Sequence, residues 1–60
     1  MPLSGKEMIK LYQKNGWVIL TTKGSHVKLG KNELRETIPV HSELKKGLEK
    51  YLLKRLKEEK

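Results

Sequence analysis

The chain has 60 residues, and fourteen Lys and Arg against seven Glu give it a formal net charge of +7. A chain this short buries only roughly 60 % of the surface its unfolded form exposes, which leaves room for one domain, residues 1–60, and one shallow site on a sheet face rather than a deep cofactor pocket. The absence of Cys excludes disulfides and thiolate metal sites, and the absence of Asp as well argues against a two-metal nuclease. No apolar run approaches the ~20 residues that span a bilayer, and the N-terminus lacks a signal-peptide apolar region. The expectation is therefore a cytoplasmic protein with no cofactor and no membrane contact.

A two-to-one excess of cations attracts polyanions and speeds their encounter, so nucleic acid is the leading partner class. The alternative is a Lys/Glu-rich surface that serves only solubility or heat resistance.

In chain order, Ser4-Gly5-Lys6-Glu7 has capping-box spacing and predicts the start of a helix. Leu3 and Met8 sit at hydrophobic-staple positions, Met8, Ile9, Leu11 and Tyr12 form an apolar stripe, and Asn15-Gly16 reads as the stop. Trp17 to Thr22 is a run of strand-forming residues, broken by Lys23-Gly24-Ser25. In the next strand, His26-Val27-Lys28-Leu29, alternation sends Val27 and Leu29 one way and His26 and Lys28 the other.

Gly30-Lys31-Asn32 reads as a turn, followed by a third strand from about Glu33 to Val40. Leu34, Ile38 and Val40 share one parity there, and Arg35 and Thr37 the other, which joins Arg35 to the polar face of His26. Glu36 has the parity of the apolar residues and breaks the pattern. Pro39 cannot donate a ladder hydrogen bond, so its end of the strand lies at an edge or stops pairing. From Ser42 to Lys60, Leu44, Leu48, Tyr51, Leu52 and Leu56 mark a second amphipathic helix. Two starts are open: Ser42 as a direct cap, or Leu48 after a break at Gly47. Lys57 to Lys60 are expected to fray.

The order helix, three strands, helix predicts an α+β fold, with a three-stranded antiparallel sheet covered on one face by both helices and a polar, basic open face.

The blocks Ser4-Gly5-Lys6-Glu7, Lys14-Asn15-Gly16-Trp17, Lys23-Gly24-Ser25-His26, Ile38-Pro39-Val40-His41 and Glu43-Leu44-Lys45-Lys46-Gly47 resemble those of the HicA-type mRNA interferases, the toxins of prokaryotic toxin-antitoxin pairs. The resemblance implies a fold similar to the double-stranded-RNA-binding domain and metal-independent endoribonuclease activity on mRNA. It also implies a HicB-type antitoxin partner, a stress role, and catalysis by the histidine of Gly-Ser-His, here His26. After Lys45-Lys46-Gly47 the family continues with a capping Thr, where this chain has Leu48, and its usual ending near Lys-Gln-Ala-Gly-Leu is replaced by Arg55-Leu56-Lys57-Glu58-Glu59-Lys60. Glu36 replaces a commonly apolar strand residue.

Chemistry points to His26 independently. Attack of a ribose 2′-OH on the adjacent phosphate needs one proton removed and another delivered, and imidazole is suited to both near neutral pH without a metal. Lys23, Ser25, Lys28 and Arg35 are the expected RNA contacts, the cations offsetting charge on phosphate oxygens. His41 reads as a surface residue near the start of the second helix, with a second proton-transfer role open. Trp17 and Tyr51 are candidates for base stacking but sit in apolar patterns and read as core; Tyr12 is open to both readings. The rival to an enzyme is a non-catalytic RNA-binding module of the same fold, and a third reading is a small protein that binds only another protein.

Overall fold

A computed structural model describes residues 3–58. It contains α1 (Gly5–Lys14), β1 (Val18–Lys23), β2 (His26–Lys31), β3 (Leu34–Pro39) and α2 (Lys46–Glu58), in the expected α+β order. The sheet is antiparallel with β2 in the centre.

Ser4 caps α1 through a reciprocal capping box: its hydroxyl accepts from the Glu7 amide at 3.1 Å, and the Glu7 carboxylate accepts from the Ser4 amide at 2.9 Å. That backbone amide, more than the Ser4 hydroxyl, holds the Glu7 carboxyl below the usual carboxylate range. The helix closes at Asn15, and Gly16 follows with φ +93°, a region open to glycine. Gly5 is required for space. Its amide donates to the His41 carbonyl at 2.9 Å, and a Cβ there would meet the Pro39 carbonyl oxygen at 2.0 Å.

Met8, Ile9 and Tyr12 of α1, Val27, Leu29 and Ile38 of the sheet, and Leu52 and Leu56 of α2 form one buried cluster with Trp17 and Leu44, so both helices cover the same face. Tyr12 is buried, and its hydroxyl donates to the Leu52 carbonyl at 2.9 Å. Burial first, and then the Glu36 carboxylate, push its ionisation above the ordinary range. Trp17 belongs to the core, with its ring centroid 5.0 Å from that of Tyr12. Tyr51 does not. It is exposed, because it lies at the margin of α2's apolar stripe, and its hydroxyl donates to Glu36 at 3.0 Å.

Glu36 faces the helices as its parity dictates. There it accepts from Tyr51 and pairs with Arg55 at 3.0 Å, so the break in the apolar pattern is filled by a polar tie between β3 and α2.

Several boundaries differ from expectation. Lys23 completes β1, and only Gly24 and Ser25 form the turn, with Gly24 at φ +59° as a type II′ hairpin demands of its first central residue. Gly30 and Lys31 belong to β2, and the second turn is Asn32-Glu33, because Asn32 takes the left-handed conformation at φ +56° that Asn tolerates. Pro39 ends the edge strand β3. The second helix begins at Lys46, so neither Ser42 nor Leu48 starts it, and Gly47 lies inside its first turn. The approach is fixed from outside: the Leu44 amide donates to the Leu3 carbonyl at 3.0 Å, and the Leu3 amide donates to the Glu49 carboxylate. Lys57 and Glu58 are helical, while Glu59 and Lys60 lie outside the described residues.

Candidate active site

The outer face of the sheet carries most of the residues singled out in the sequence. Along β2, Val27 and Leu29 are buried against the helices while His26 and Lys28 are exposed on the other side, as strict alternation requires. The two-residue Gly24-Ser25 turn sets Lys23 directly across from His26, and the next outward row runs Thr21, Lys28, Thr37.

An irregularity in β1 makes these rows possible. Ile19 lies opposite Leu29, an inward residue, and unbroken alternation from Ile19 would turn Thr21 and Lys23 inward as well. A bulge at Leu20 shifts the register by one, so Thr21 meets Lys28 and Lys23 meets His26 on the outer face.

These residues line an open cleft of about 480 Å³, formed by Thr21, Thr22, Lys23, His26, Lys28 and Thr37. Among the described residues, no hydrogen bond or ion pair engages the side chains of any of the six. Two ammonium groups, three hydroxyls and an imidazole thus stand free around one concavity. A second recess of about 320 Å³ on the helical side is lined by Leu11, Asn15, Leu53, Leu56 and Lys57, and contains no imidazole or carboxylate for proton transfer.

The structure brings together three of the five residues expected at the site: His26, Lys23 and Lys28. Ser25 is exposed in the hairpin turn beside His26 and does not line the cleft; its backbone carbonyl accepts from the Val40 amide at 2.6 Å. Arg35 shares the outer face but lies opposite Gly30, beyond the Lys28 row. Its guanidinium turns back onto the β2–β3 turn, where Nη1 donates to the carbonyls of Asn32 at 3.0 Å and Leu34 at 2.7 Å. His41 is exposed outside the cleft lining, and its backbone carbonyl serves Gly5. No group of three or more His or Glu residues is arranged to hold a metal ion among the described residues.

Sequence reasoning missed Thr21, Thr22 and Thr37 as cleft residues. The parity of Thr37 was visible, but the bulge that turns Thr21 outward leaves no mark in composition. The expectation of a polar, basic open face needs correction too, because Val18 and Leu20 are exposed on it, 57 % and 44 % respectively. Val18 is outward because it pairs with Gly30, and Leu20 because it is the bulged residue; β1 is an edge strand and is exposed along its length.

A small α+β domain with a cationic outer sheet face and a single imidazole in its cleft is the class of protein these features define. The family described as the HicA toxin of bacterial toxin-antitoxin matches residues 5–57, and the chain belongs to it. It is thus the toxin type of component of a toxin-antitoxin system. No curated protein and no solved structure matches the chain. No helix among the described residues is long and apolar enough to cross a membrane.

Proposed function

We propose that this protein is an endoribonuclease that cleaves mRNA without a metal ion, with His26 as the catalytic residue. The observation that carries the reading is the placement of His26: an imidazole with no partner among the described residues, facing outward between Lys23 and Lys28 in a chain of the HicA family. The neutral imidazole removes the proton from a ribose 2′-OH. The resulting oxygen attacks the adjacent phosphorus, the bond from phosphorus to the 5′ oxygen breaks, and a proton is returned to that departing oxygen. The products are a 2′,3′-cyclic phosphate and a 5′-hydroxyl; water can then open the cyclic ester to a 3′-phosphate.

Lys23 and Lys28 bind phosphate oxygens beside the imidazole and offset the charge that develops on them during attack. Ser25 and Arg35 extend the RNA contact at opposite ends of the face. A cognate HicB-type antitoxin holds the toxin inactive in the cytoplasm, and an acidic partner surface would be drawn to a +7 chain and cover the cleft.

Purified protein and a His26→Ala variant, each incubated with a long RNA in EDTA, test this directly. The wild-type protein should cut, and the variant should not, while keeping its RNA affinity and thermal stability because His26 is exposed. Equal cleavage by the variant would remove His26 from the mechanism. RNA binding without cleavage by either protein would favour the non-catalytic RNA-binding module.

A further inference from the structure

Past the Lys28 row, the outer face changes character at Gly30. A Cβ on Gly30 would lie 2.8 Å from Leu20 Cδ1 and 3.1 Å from Arg35 Nη1, so the missing side chain lets a leucine from β1 and a guanidinium from β3 converge over the central strand. Leu20 reaches that place because it is the bulged residue, and Arg35 because its register partner is Gly30. Both side chains remain exposed, with Val18 flanking them on β1. The carbonyls of Asn32 in the β2–β3 turn and of Leu34 at the start of β3 fix the guanidinium through Nη1, which limits its rotation and leaves its π face unengaged by any ring.

We infer that Leu20, Gly30 and Arg35 form a platform on which a nucleobase flanking the cleaved nucleotide stacks. The inference rests on the RNA reading of the neighbouring cleft and adds a subsite to it. Gly30 lies four residues along β2 from His26, about 13 Å at ~3.3 Å per residue, so a strand with its scissile phosphate at His26 carries a neighbouring base to the platform. Unpaired bases in RNA are taken up by stacking on flat side-chain surfaces, guanidinium planes included. Apart from the His26 imidazole at the cleft, this face offers no aromatic ring: Trp17 and Tyr12 are buried in the core, and Tyr51 lies on the helical side. The Leu20–Arg35 pair supplies the planar and apolar surface instead. A protein partner is the weaker occupant, since Val18 and Leu20 alone are far smaller than the ~800 Å² per side of a stable interface. The net charge of +7 also opposes a second copy.

The test uses the full chain carrying His26→Ala, so that RNA stays intact, and a short single-stranded RNA spanning a mapped cut site, with each base removed in turn. Binding is read by fluorescence anisotropy. Loss of the base at one flanking position should weaken binding about tenfold. That penalty should disappear when Arg35→Lys, which keeps the charge but not the plane, or Leu20→Ala is added. If base removal has no effect at any flanking position, or the penalty survives both variants while RNA binding and His26-dependent cleavage stand, the platform is overturned and the nuclease reading is not. If the protein binds no RNA at all, both fall. Sedimentation of the protein alone provides the other arm: a dimer that Leu20→Ala dissociates would assign the patch to a second copy and overturn the platform.

Discussion

His26 owes its outward position to unbroken alternation along β2, whereas Lys23 owes its own to the two-residue turn that sets it across from His26, the bulge at Leu20 reconciling that side with inward Ile19. Two residues of the same cleft thus depend on different kinds of local order. Gly47 illustrates a residue with no such demand: it lies in the first turn of α2, and a Cβ there would meet nothing within 4 Å. Gly47→Ala should therefore stabilise the protein by about 0.4–1 kcal/mol, through lower entropy of the unfolded chain, and raise the melting temperature by several degrees. Unchanged or lower thermal stability would mean that this turn of α2 is not helical as described. At this scale, His26 and Lys28 were legible in the sequence because period-2 alternation alone decides their side. Lys23 was expected beside them as an RNA contact, but the outward turn of Thr21 was not, since a bulge depends on pairing with β2 rather than on the residues of β1. Arg35 was legible by parity, but its hydrogen bonds to the Asn32 and Leu34 carbonyls depend on a turn at Asn32-Glu33, where the sequence signal was Gly30-Lys31-Asn32.

The elements are held together by few polar ties, and Glu36 anchors the most prominent of them. Its carboxylate joins β3 to α2 through Tyr51 and Arg55, and the Arg55 guanidinium also lies 5.9 Å over the Trp17 ring. The pair is partly buried, so cutting it leaves a cation short of a partner. Glu36→Ala should cost on the order of 1–3 kcal/mol, read by chemical denaturation. Replacing both members, Glu36→Leu with Arg55→Leu, should restore most of the loss, because apolar packing can substitute for an ion pair in such a position. A double variant no more stable than Glu36→Ala alone would show that the tie contributes more than the satisfaction of its own charges. The sequence showed Glu36 as a conflict without its solution, since the partners lie 15 and 19 residues away on α2. The capping box of α1 was legible because its partners are three residues apart. The start of α2 was not, because it is set by contacts of Leu3 with Leu44 and Glu49 across the fold.

For the whole molecule, charge and topology act together. Both helices cover one face of the sheet, and Lys23 and Lys28 project from the other with no carboxylate partner among the described residues, so on the proposed reading a polyanion would displace none. RNA affinity should fall steeply with salt, and Lys28→Ala should weaken binding while flattening the plot of log affinity against log salt by about 0.7 for one lost phosphate contact on a single strand. A slope unchanged by the substitution would take Lys28 off the RNA path. The fold class was legible from element order, since helix periodicity at both ends and β-rich runs between them leave few arrangements with short connections. The central claim is that the nucleophile belongs to the substrate and that His26 takes its proton. The most direct measurement is cleavage, in EDTA, of an RNA in which the single nucleotide on the 5′ side of a mapped cut carries 2′-deoxyribose. The account predicts that cutting at that bond stops while other sites are cut as before, leaving 5′-hydroxyl and cyclic or 3′-phosphate ends. Undiminished cutting at the substituted position, or 5′-phosphate ends on the products, would contradict it and make water the nucleophile.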